Sequence, residues 1–454
     1  MSLADTLAGA PSPAHLDPDV RAREADAAYR KVLWRIMPFL MLCYVVSFID
    51  RSNIGFAKLH FIADLNFNDA IYGIGAGIFY VGYILFEVPS NMVLHKSGVR
   101  KTLLRIMVLW GLFSAGMAFM QTPTHFYVMR FLLGAAEAGM FPGMLLYLTY
   151  WVPLNRRARF NALFTASIPL AGMIGGPLSG AIMHAFDGVH GMHGWQWMFI
   201  IEGLPACALG VFAYFYLTDG PSTSKWLTPR EKEIIAEDLA QGGAKRDPGQ
   251  HSYLGALRNP KLYWLSGMGV AVLVSTGGVF FWLPTIIRQS GIENVMSIGA
   301  LSVIPFLIAL VVQFMNARHS DQTGERRWHV AIPAFLAAIG WAALPSVQGH
   351  VALSMLMLTL ATAGTLGLTG PFWTLPSSFL TGKAAAGGIA LLSTFAGVGS
   401  VFSPMLVGWL SATSGSLAMG QYYFAALMLV GAVTLLVGIK PHELAEVRAA
   451  QRPN

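Results

Sequence analysis

The first long apolar stretch, VLWRIMPFLMLCYVVSFIDRSNIGFAK (32–58), carries two charged residues deep inside a hydrophobic segment. Asp50 and Arg51 follow an apolar run of a length that can cross a bilayer as a helix. Because a charge at the bilayer centre costs about 2.5–3.5 kcal/mol, such residues normally face a polar cavity or a pathway. The alternative is an arginine that snorkels to the interface beside an aspartate at a helix end.

The composition extends this interpretation to the whole chain of 454 residues. The chain is 55% hydrophobic and 12% charged, whereas a soluble domain carries about 25% charged residues. The two cysteines, Cys43 and Cys207, lie in apolar runs, so we expect neither a disulfide framework nor a thiolate metal site. The polar and acidic first 30 residues do not resemble a secretory signal. The sequence predicts a polytopic helical membrane protein.

Twelve apolar runs of spanning length predict an all-α fold with twelve transmembrane helices in two six-helix bundles. The runs are 32–58, 70–94, 103–121, 125–150, 158–184, 196–217, 262–287, 294–316, 329–346, 350–378, 385–410 and 418–439. The predicted units are an N-terminal tail at 1–31, a bundle at 32–217, a linker with a surface helix at 218–261, a second bundle at 262–440 and a C-terminal tail at 441–454.

Lysine and arginine gather in alternate loops between these runs. The loops on the other side contain neither residue and cover 121–124, 187–194, 346–349 and 411–416. This bias predicts that both termini and the long linker are cytoplasmic. The formal net charge of +7 therefore reflects membrane orientation, and we expect no nucleic-acid partner.

The two halves repeat. The loop string HKSGVRK of the first half matches DQTGERR of the second, with Gly98 aligned to Gly324 at an offset of 226 residues. Pro177 in GGPLSG precedes Pro404 in SPMLVG by 227 residues. Nearly the same offset at two distant places predicts duplicated halves. Transporters built from such halves bind substrate near the membrane midplane, where the halves meet.

The twelve runs, the central linker and the paired loop strings resemble the major facilitator superfamily. Its loop motif combines a glycine, an aspartate and basic residues after spans 2 and 8. The candidates for this conformational role are Gly98, Arg100, Lys101, Asp321, Gly324, Arg326 and Arg327. The second copy keeps the aspartate, whereas the first has Asn91 and His95 where glycine and aspartate are usual.

Five further strings occur in order: FIDRSNIGFA, FEVPSN, RFLLGAAEAGMFPG, GWQWMFIIEGLPA and WLTPRE. Together they are similar to the anion:cation symporter family, in its branch of bacterial tartrate and phthalate permeases. The resemblance implies proton-coupled uptake of an organic carboxylate across a bacterial inner membrane. It also implies that Asp50 and Glu137 carry protons, that Arg51 grips the substrate and that Tyr83 contacts it. We expect a monomer without cofactor or metal.

The residues themselves support a site around Arg51, because a guanidinium can bind a carboxylate with two parallel hydrogen bonds. The alternative is a permanent pair with Asp50, but adjacent helix residues do not face each other. A buried carboxyl favours its protonated form and a nearby cation favours its ionised form, so Asp50 and Glu137 can gain and lose protons. Arg130, seven residues before Glu137, is predicted to meet one of these carboxyls in one state only, or else to form a static bridge.

The second half has few deep charges and is predicted to supply shape and neutral polar contacts. The candidates are Trp373, Thr374 and Ser393, beside a span 10 broken by prolines. Ordinary packing is the alternative for Trp373 and for Tyr83. Sugar-acid relatives tend to carry an amide where Ser393 stands. This departure favours a small or partly apolar carboxylate over a polyhydroxy acid. Glu202 receives no role beyond helix packing.

Other function classes remain as alternatives. An anion exchanger or uniporter would need no proton coupling. A membrane sensor would bind a carboxylate without flux, but the chain has no soluble domain beyond the linker. An enzyme is not expected, because the sequence shows no nucleophile–base constellation, zinc-protease motif or phosphate loop.

Overall fold

A computed structural model describes residues 18–244, 260–375 and 382–440. Twelve helices in these ranges are long and apolar enough to cross a membrane, and the described residues form no strand. The prediction of an all-α fold with twelve spans is therefore confirmed. Pro376, one of the two prolines predicted to break span 10, lies outside the described residues.

The spans consist of one or two helices each. They are Pro18–Asp64 (span 1), Asp69–Ser97 (span 2), Val99–Gly116 (span 3), Pro123–Glu137 with Met140–Trp151 (span 4), Leu154–Thr165 with Ser167–Ala185 (span 5), Gly194–Tyr216 (span 6), Pro260–Gln289 (span 7), Val295–Thr323 (span 8), Arg327–Ala343 (span 9), Val351–Gly367 with Thr369–Thr374 (span 10), Gly382–Ser414 (span 11) and Ala418–Gly438 (span 12). The sequence pattern predicts Lys383 in the loop before the apolar run 385–410, whereas the structure has it in the first turn of span 11.

Successive spans alternate in direction, which divides the molecule into two sides. We call the side that carries the described chain ends and the linker helix Pro229–Ala244 the terminal side. The opposite side, where span 1 ends and span 2 begins, is the distal side. Span 4 breaks near its middle at Gly139, whose φ of +87° is the left-handed conformation that favours glycine. This break follows directly after Glu137 and so ends the helix at a candidate site residue.

The two halves meet through spans 1 and 7, spans 2 and 11, and spans 5 and 8. Glycines let the backbones approach closely on the distal side. A Cβ atom added to Gly73 would lie 2.3 Å from the carbonyl oxygen of Pro404, and one added to Gly408 would lie 2.3 Å from that of Asp69. Spans 5 and 8 interlock similarly at Gly176 and Gly299. The distal ends of the halves are therefore in contact.

Span 1 begins at Pro18, inside the stretch that the sequence analysis assigned to an N-terminal tail. The additional turns lie against the linker helix. Ion pairs join Arg21 to Glu237 at 3.0 Å and to Asp238 at 2.9 Å, Lys31 to Glu231 at 3.0 Å, and Arg230 to Glu24 at 3.2 Å. These partners, some 200 residues away in the chain, stabilise a polar helical extension that the hydrophobic run alone does not predict.

Lowering the pH is expected to weaken this contact at Glu231. Burial raises the pKa of its carboxyl, but hydrogen bonds from the Thr228 backbone and from Lys31 outweigh burial, and the pKa lies below its ordinary value of 4.5. The ionised group therefore stabilises the fold at neutral pH, and this contribution is lost as the pH falls through the lowered pKa.

The Glu231→Gln variant should be less stable than the wild type by about 1 kcal/mol or less at pH 7. The difference should shrink as the pH falls below about 4.5. Thermal unfolding of both proteins across this pH range measures it, and a difference that does not change with pH would contradict the prediction.

Candidate substrate and coupling site

Arg51 and Glu137 form a buried ion pair between spans 1 and 4. Nη2 of Arg51 lies 2.5 Å from Oε1 of Glu137, and the hydroxyl of Ser47 donates to the same oxygen at 2.5 Å. The side chain of Arg51 is 14% exposed and that of Glu137 is 1% exposed. The buried Nε atom of Arg51 has no hydrogen-bond partner. Arg51 is thus a desolvated cation with one bound carboxylate and unused donor capacity.

Aromatic rings surround this guanidinium. Its central carbon lies 4.9 Å from the ring centre of Phe48, 5.3 Å from that of Phe79 and 5.4 Å from that of Tyr83. Ring faces at such distances attract a cation and exclude water. The structure therefore places Tyr83 beside Arg51, as the proposed site requires, while its part in substrate binding stays a prediction.

Asp50 points away from Arg51 and binds three donors. Oδ2 accepts from the indole N–H of Trp110 at 2.6 Å. Oδ1 accepts from the hydroxyl of Ser114 and from the amide of Asn53, the latter at 3.3 Å. The carboxyl is 1% exposed. Adjacent helix positions thus bind separate partners, as their angular separation predicts, and the alternative of a permanent Asp50–Arg51 pair does not describe this conformation.

Arg130 is buried between the two carboxyl sites. Its Nε donates to the carbonyl oxygen of Gly75 at 3.2 Å, and its guanidinium lies 4.7 Å from the ring centre of Phe79. Among the described ion pairs, none joins Arg130 to Glu137 or Asp50, and its Nη2 has no hydrogen-bond partner. A static bridge is therefore not formed in this conformation, and a pairing confined to another state stays a prediction.

The candidates from the second half lie on spans 10 and 11. Trp373 is half-buried near the terminal end of span 10, with its ring edge-on to Phe372 at 5.2 Å. The hydroxyl of Thr374 donates to the carbonyl oxygen of Pro371 at 2.7 Å. Ser393 is exposed on span 11. The described contacts do not join these side chains to Arg51, so their role in binding stays a prediction.

A polar cluster centred on Lys58, which we call the distal gate, links the halves on the distal side. The Lys58 ammonium is 5% exposed and lies 3.0 Å from Oδ1 of Asp69. It also lies 3.4 Å from the hydroxyl of Thr285 and 3.9 Å from the ring centre of Trp282, both on span 7. Asp69 in turn accepts from the hydroxyl of Ser411 on span 11 at 2.5 Å.

Two further contacts support the gate. The hydroxyl of Tyr72 donates to the carbonyl oxygen of Phe281 at 2.9 Å, and the guanidinium of Arg288 donates to that of Leu59. Each contact joins one half of the protein to the other. The gate therefore holds the distal ends of both halves together.

Sequence reasoning did not assign the gate a role. One signal was present, since Lys58 follows Arg51 by seven residues and so lies near the same face of span 1, two turns further on. The gate residues of the second half, Thr285 beside Lys58 and Ser411 beside Asp69, are more than 220 residues further along the chain, and neither belongs to a recognisable motif.

The loop motifs lie on the terminal side. In the second copy, Arg326 pairs with Asp321 at 2.6 Å, beside Gly324 with a φ of +57°. In the first copy, Asp219 accepts from the backbone N–H of Arg100 at 3.2 Å and lies against Gly98. An aspartate that follows span 6 thus stands near the loop whose own aspartate is missing.

The remaining basic motif residues differ in their surroundings. Lys101 is exposed, whereas the guanidinium of Arg327 donates to the carbonyl oxygen of Leu436 on span 12. The described residues contain no group of three or more histidine, cysteine, aspartate or glutamate side chains placed to hold a metal ion.

Comparison with known proteins agrees with this geometry. The family model of the Major Facilitator Superfamily matches residues 40–388, and the chain belongs to that superfamily of membrane transporters. A provisionally named tartrate transporter of Agrobacterium vitis is 42% identical over 426 residues, which cover 93% of this chain and 94% of that protein. These matches agree with the tartrate-permease-like branch that the five strings resemble.

Two other similarities support the assignment. A provisionally named metabolite transport protein, NicT, of Pseudomonas putida is 41% identical over 404 residues, or 89% of this chain and 92% of that protein. The inward open conformation of the xylose transporter XylE from E. coli shares the fold, with a TM-score of 0.72 and 15% identity over 92% of this chain and all of that one. The protein is a multi-pass transporter and not an enzyme.

Proposed function

We propose that this protein is a proton-coupled symporter that takes up an organic carboxylate anion. The Arg51–Glu137 ion pair in its aromatic surroundings is the observation that carries this proposal. Arg51 is a desolvated cation that already binds one carboxylate, and its Nε is still without an acceptor. A substrate carboxylate matches this donor set, and the relative named as a tartrate transporter fits the same class of ligand.

The ion pair also suggests how proton and anion binding are linked. While Glu137 is ionised it occupies the guanidinium and opposes a second carboxylate by like charge. A proton on Glu137 removes that charge and frees Arg51 for the substrate. Proton and anion therefore favour each other's binding, which is the thermodynamic requirement for symport. Asp50 is the second proton carrier in this scheme, and Tyr83, Trp373, Thr374 and Ser393 shape the site.

Orientation and access complete the mechanism. The distribution of lysine and arginine supports the proposal that the terminal side faces the cytoplasm of a bacterial inner membrane. The closed distal gate would separate the site from the outside, and rocking of the two halves would open that gate. If Asp50 and Glu137 both take up and release a proton in each turnover, two protons accompany one anion. A monoanion then enters with a net positive charge, and the membrane potential favours its entry by about 2.3 kcal/mol per 100 mV. We expect the monomer to be the working unit.

The first test is a binding panel with the purified protein. Thermal stability is measured at pH 5.5 and pH 7.5 with tartrate, malate, phthalate, 4-hydroxyphenylacetate, galactonate, glutamate and a neutral sugar. We expect one small or partly apolar acid to raise the melting temperature, more strongly at pH 5.5, because proton and anion binding favour each other in this scheme. Stabilisation by the neutral sugar alone would contradict the proposal.

Transport in proteoliposomes separates symport from its alternatives. The bound acid should accumulate when the outside is acidified, and accumulation should stop when the pH gradient is collapsed. Counterflow that ignores the gradient would identify an exchanger or uniporter instead. Binding without any flux would identify a sensor.

A further inference from the structure

Glu202 in span 6 is a buried carboxyl, 5% exposed, that forms no ion pair among the described residues. Oε1 accepts a hydrogen bond from the hydroxyl of Ser179 at 2.7 Å. Oε2 is buried and has no hydrogen-bond partner. A carboxylate with one hydrogen bond and no cation is costly to bury, whereas the neutral acid is much less so. Burial and partners together favour a protonated Glu202.

Asn53 connects Glu202 to the coupling site. Its amide nitrogen donates to Oδ1 of Asp50 at 3.3 Å, and its side chain also contacts the carboxyl of Glu202. The amide oxygen of Asn53 is buried and without a partner. A proton on Oε2 of Glu202 converts that atom into a donor, and the Asn53 oxygen is the unfilled acceptor on the neighbouring side chain. The Asn53 side chain can therefore offer an acceptor to a protonated Glu202.

The other two carboxyls that are buried within the described ranges have different surroundings. Glu137 is neutralised by Arg51, and Asp50 accepts from three donors, which favours an ionised group in each case. The groups that face Glu202 from neighbouring spans are Asp50, Asn53 and Ser179, with Arg130 beyond Asp50. In this conformation, Glu202 is the carboxyl of the network best suited to hold a proton.

We propose that Glu202 is a third proton-coupling residue and forms, with Asp50, a carboxyl pair bridged by Asn53. The pair holds one proton, which resides on Oε2 of Glu202 in this conformation. When that proton passes to Asp50, Glu202 becomes the carboxylate and the Asn53 amide turns to donate to it. The role in coupling rests on the proposed symport, whereas the protonation of Glu202 does not.

Infrared spectroscopy of the purified protein tests the protonation directly. At pH 7.5 the wild type should absorb in the C=O stretching region of protonated carboxyl groups, and Glu202→Gln should lose that absorption. Glu137→Gln is the matched control and should retain it, because Glu137 is paired with the Arg51 cation. Asn53→Ala should shift the band, because the hydroxyl loses its acceptor. Equal spectra of the wild type and Glu202→Gln would overturn the inference, whatever the transport assays show.

Transport then tests the coupling role. With the panel acid that binds, Glu202→Gln should keep binding and counterflow but lose the wild-type pH profile of uptake. An unchanged pH profile would overturn the coupling role. Uptake by the wild type that ignores pH would instead defeat the proposed symport, while the infrared result still decides the protonation of Glu202.

Discussion

Replacing Arg51 with alanine is expected to abolish substrate binding and transport. The guanidinium is the anchor proposed for the substrate carboxylate, and it lies among aromatic rings with its side chain 14% exposed. Truncating one partner of a buried, hydrogen-bonded charge pair costs about 2–5 kcal/mol, which is an affinity loss of roughly 30-fold or more. The stabilisation by the panel acid should therefore disappear.

The Arg51→Ala variant is also expected to lose stability, and this loss has to be distinguished from the loss of substrate binding. Arg51→Ala leaves Glu137 ionised and buried without its cation, which can destabilise the protein by itself. The double variant Arg51→Ala with Glu137→Gln removes both charges and should regain stability without regaining binding. Arg51→Lys keeps the charge but loses the two-pronged geometry, so it should bind weakly. Full stabilisation by the acid in the double variant would show that Arg51 is structural.

Much of the fold was predictable because its signals are local. Each span contains an apolar run whose length matches a bilayer, and such a run is recognised without knowledge of its neighbours. The start of span 1 was not predictable, because the residues from Pro18 onward are polar and their helix is stabilised by the linker helix, which is distant in sequence. Sequence reasoning finds a helix by its own composition and misses one that is stabilised by a remote partner.

The candidate site shows the same division. That Asp50 and Arg51 bind different partners follows from their adjacent places on one helix. Glu137 pairs with Arg51 and not with Arg130. This choice depends on how spans 1 and 4 are rotated relative to each other, and the local sequence pattern does not predict that rotation. The role of Glu202 was missed for this reason, since its orphan oxygen becomes visible only when Asn53 and Ser179 stand beside it.

Replacing Gly73 with alanine is expected to prevent closure of the distal gate and to reduce transport strongly. The new Cβ would lie 2.3 Å from the carbonyl oxygen of Pro404 and 2.9 Å from the Cα of Gly408. Both obstacles are backbone atoms of span 11, so no side chain can turn aside. Overpacking typically costs about 1–3 kcal/mol, which would shift the balance between distal-closed and distal-open states by roughly 5- to 150-fold.

Labelling from the distal side measures this shift. Ser403 on span 11 is 3% exposed beside the closed gate, so a cysteine introduced there should resist a membrane-impermeant thiol reagent in the otherwise wild-type protein. In the Gly73→Ala background the introduced cysteine should react rapidly. The protein without the introduced cysteine gives the background labelling of the native Cys43 and Cys207. Gly267→Ala is the matched control, because its nearest obstacle lies 3.6 Å away at the hydroxyl of Thr434.

The two glycine variants together decide whether distal contact is required for the transport cycle. If transport needs the halves to close on this side, Gly73→Ala must lose uptake and gain distal labelling, while Gly267→Ala changes neither. Gly73→Ala with normal uptake and a protected cysteine would mean that the backbones move apart at little cost. The close approach of spans 2 and 11 would then be ordinary helix packing, and alternating access would need a different gate.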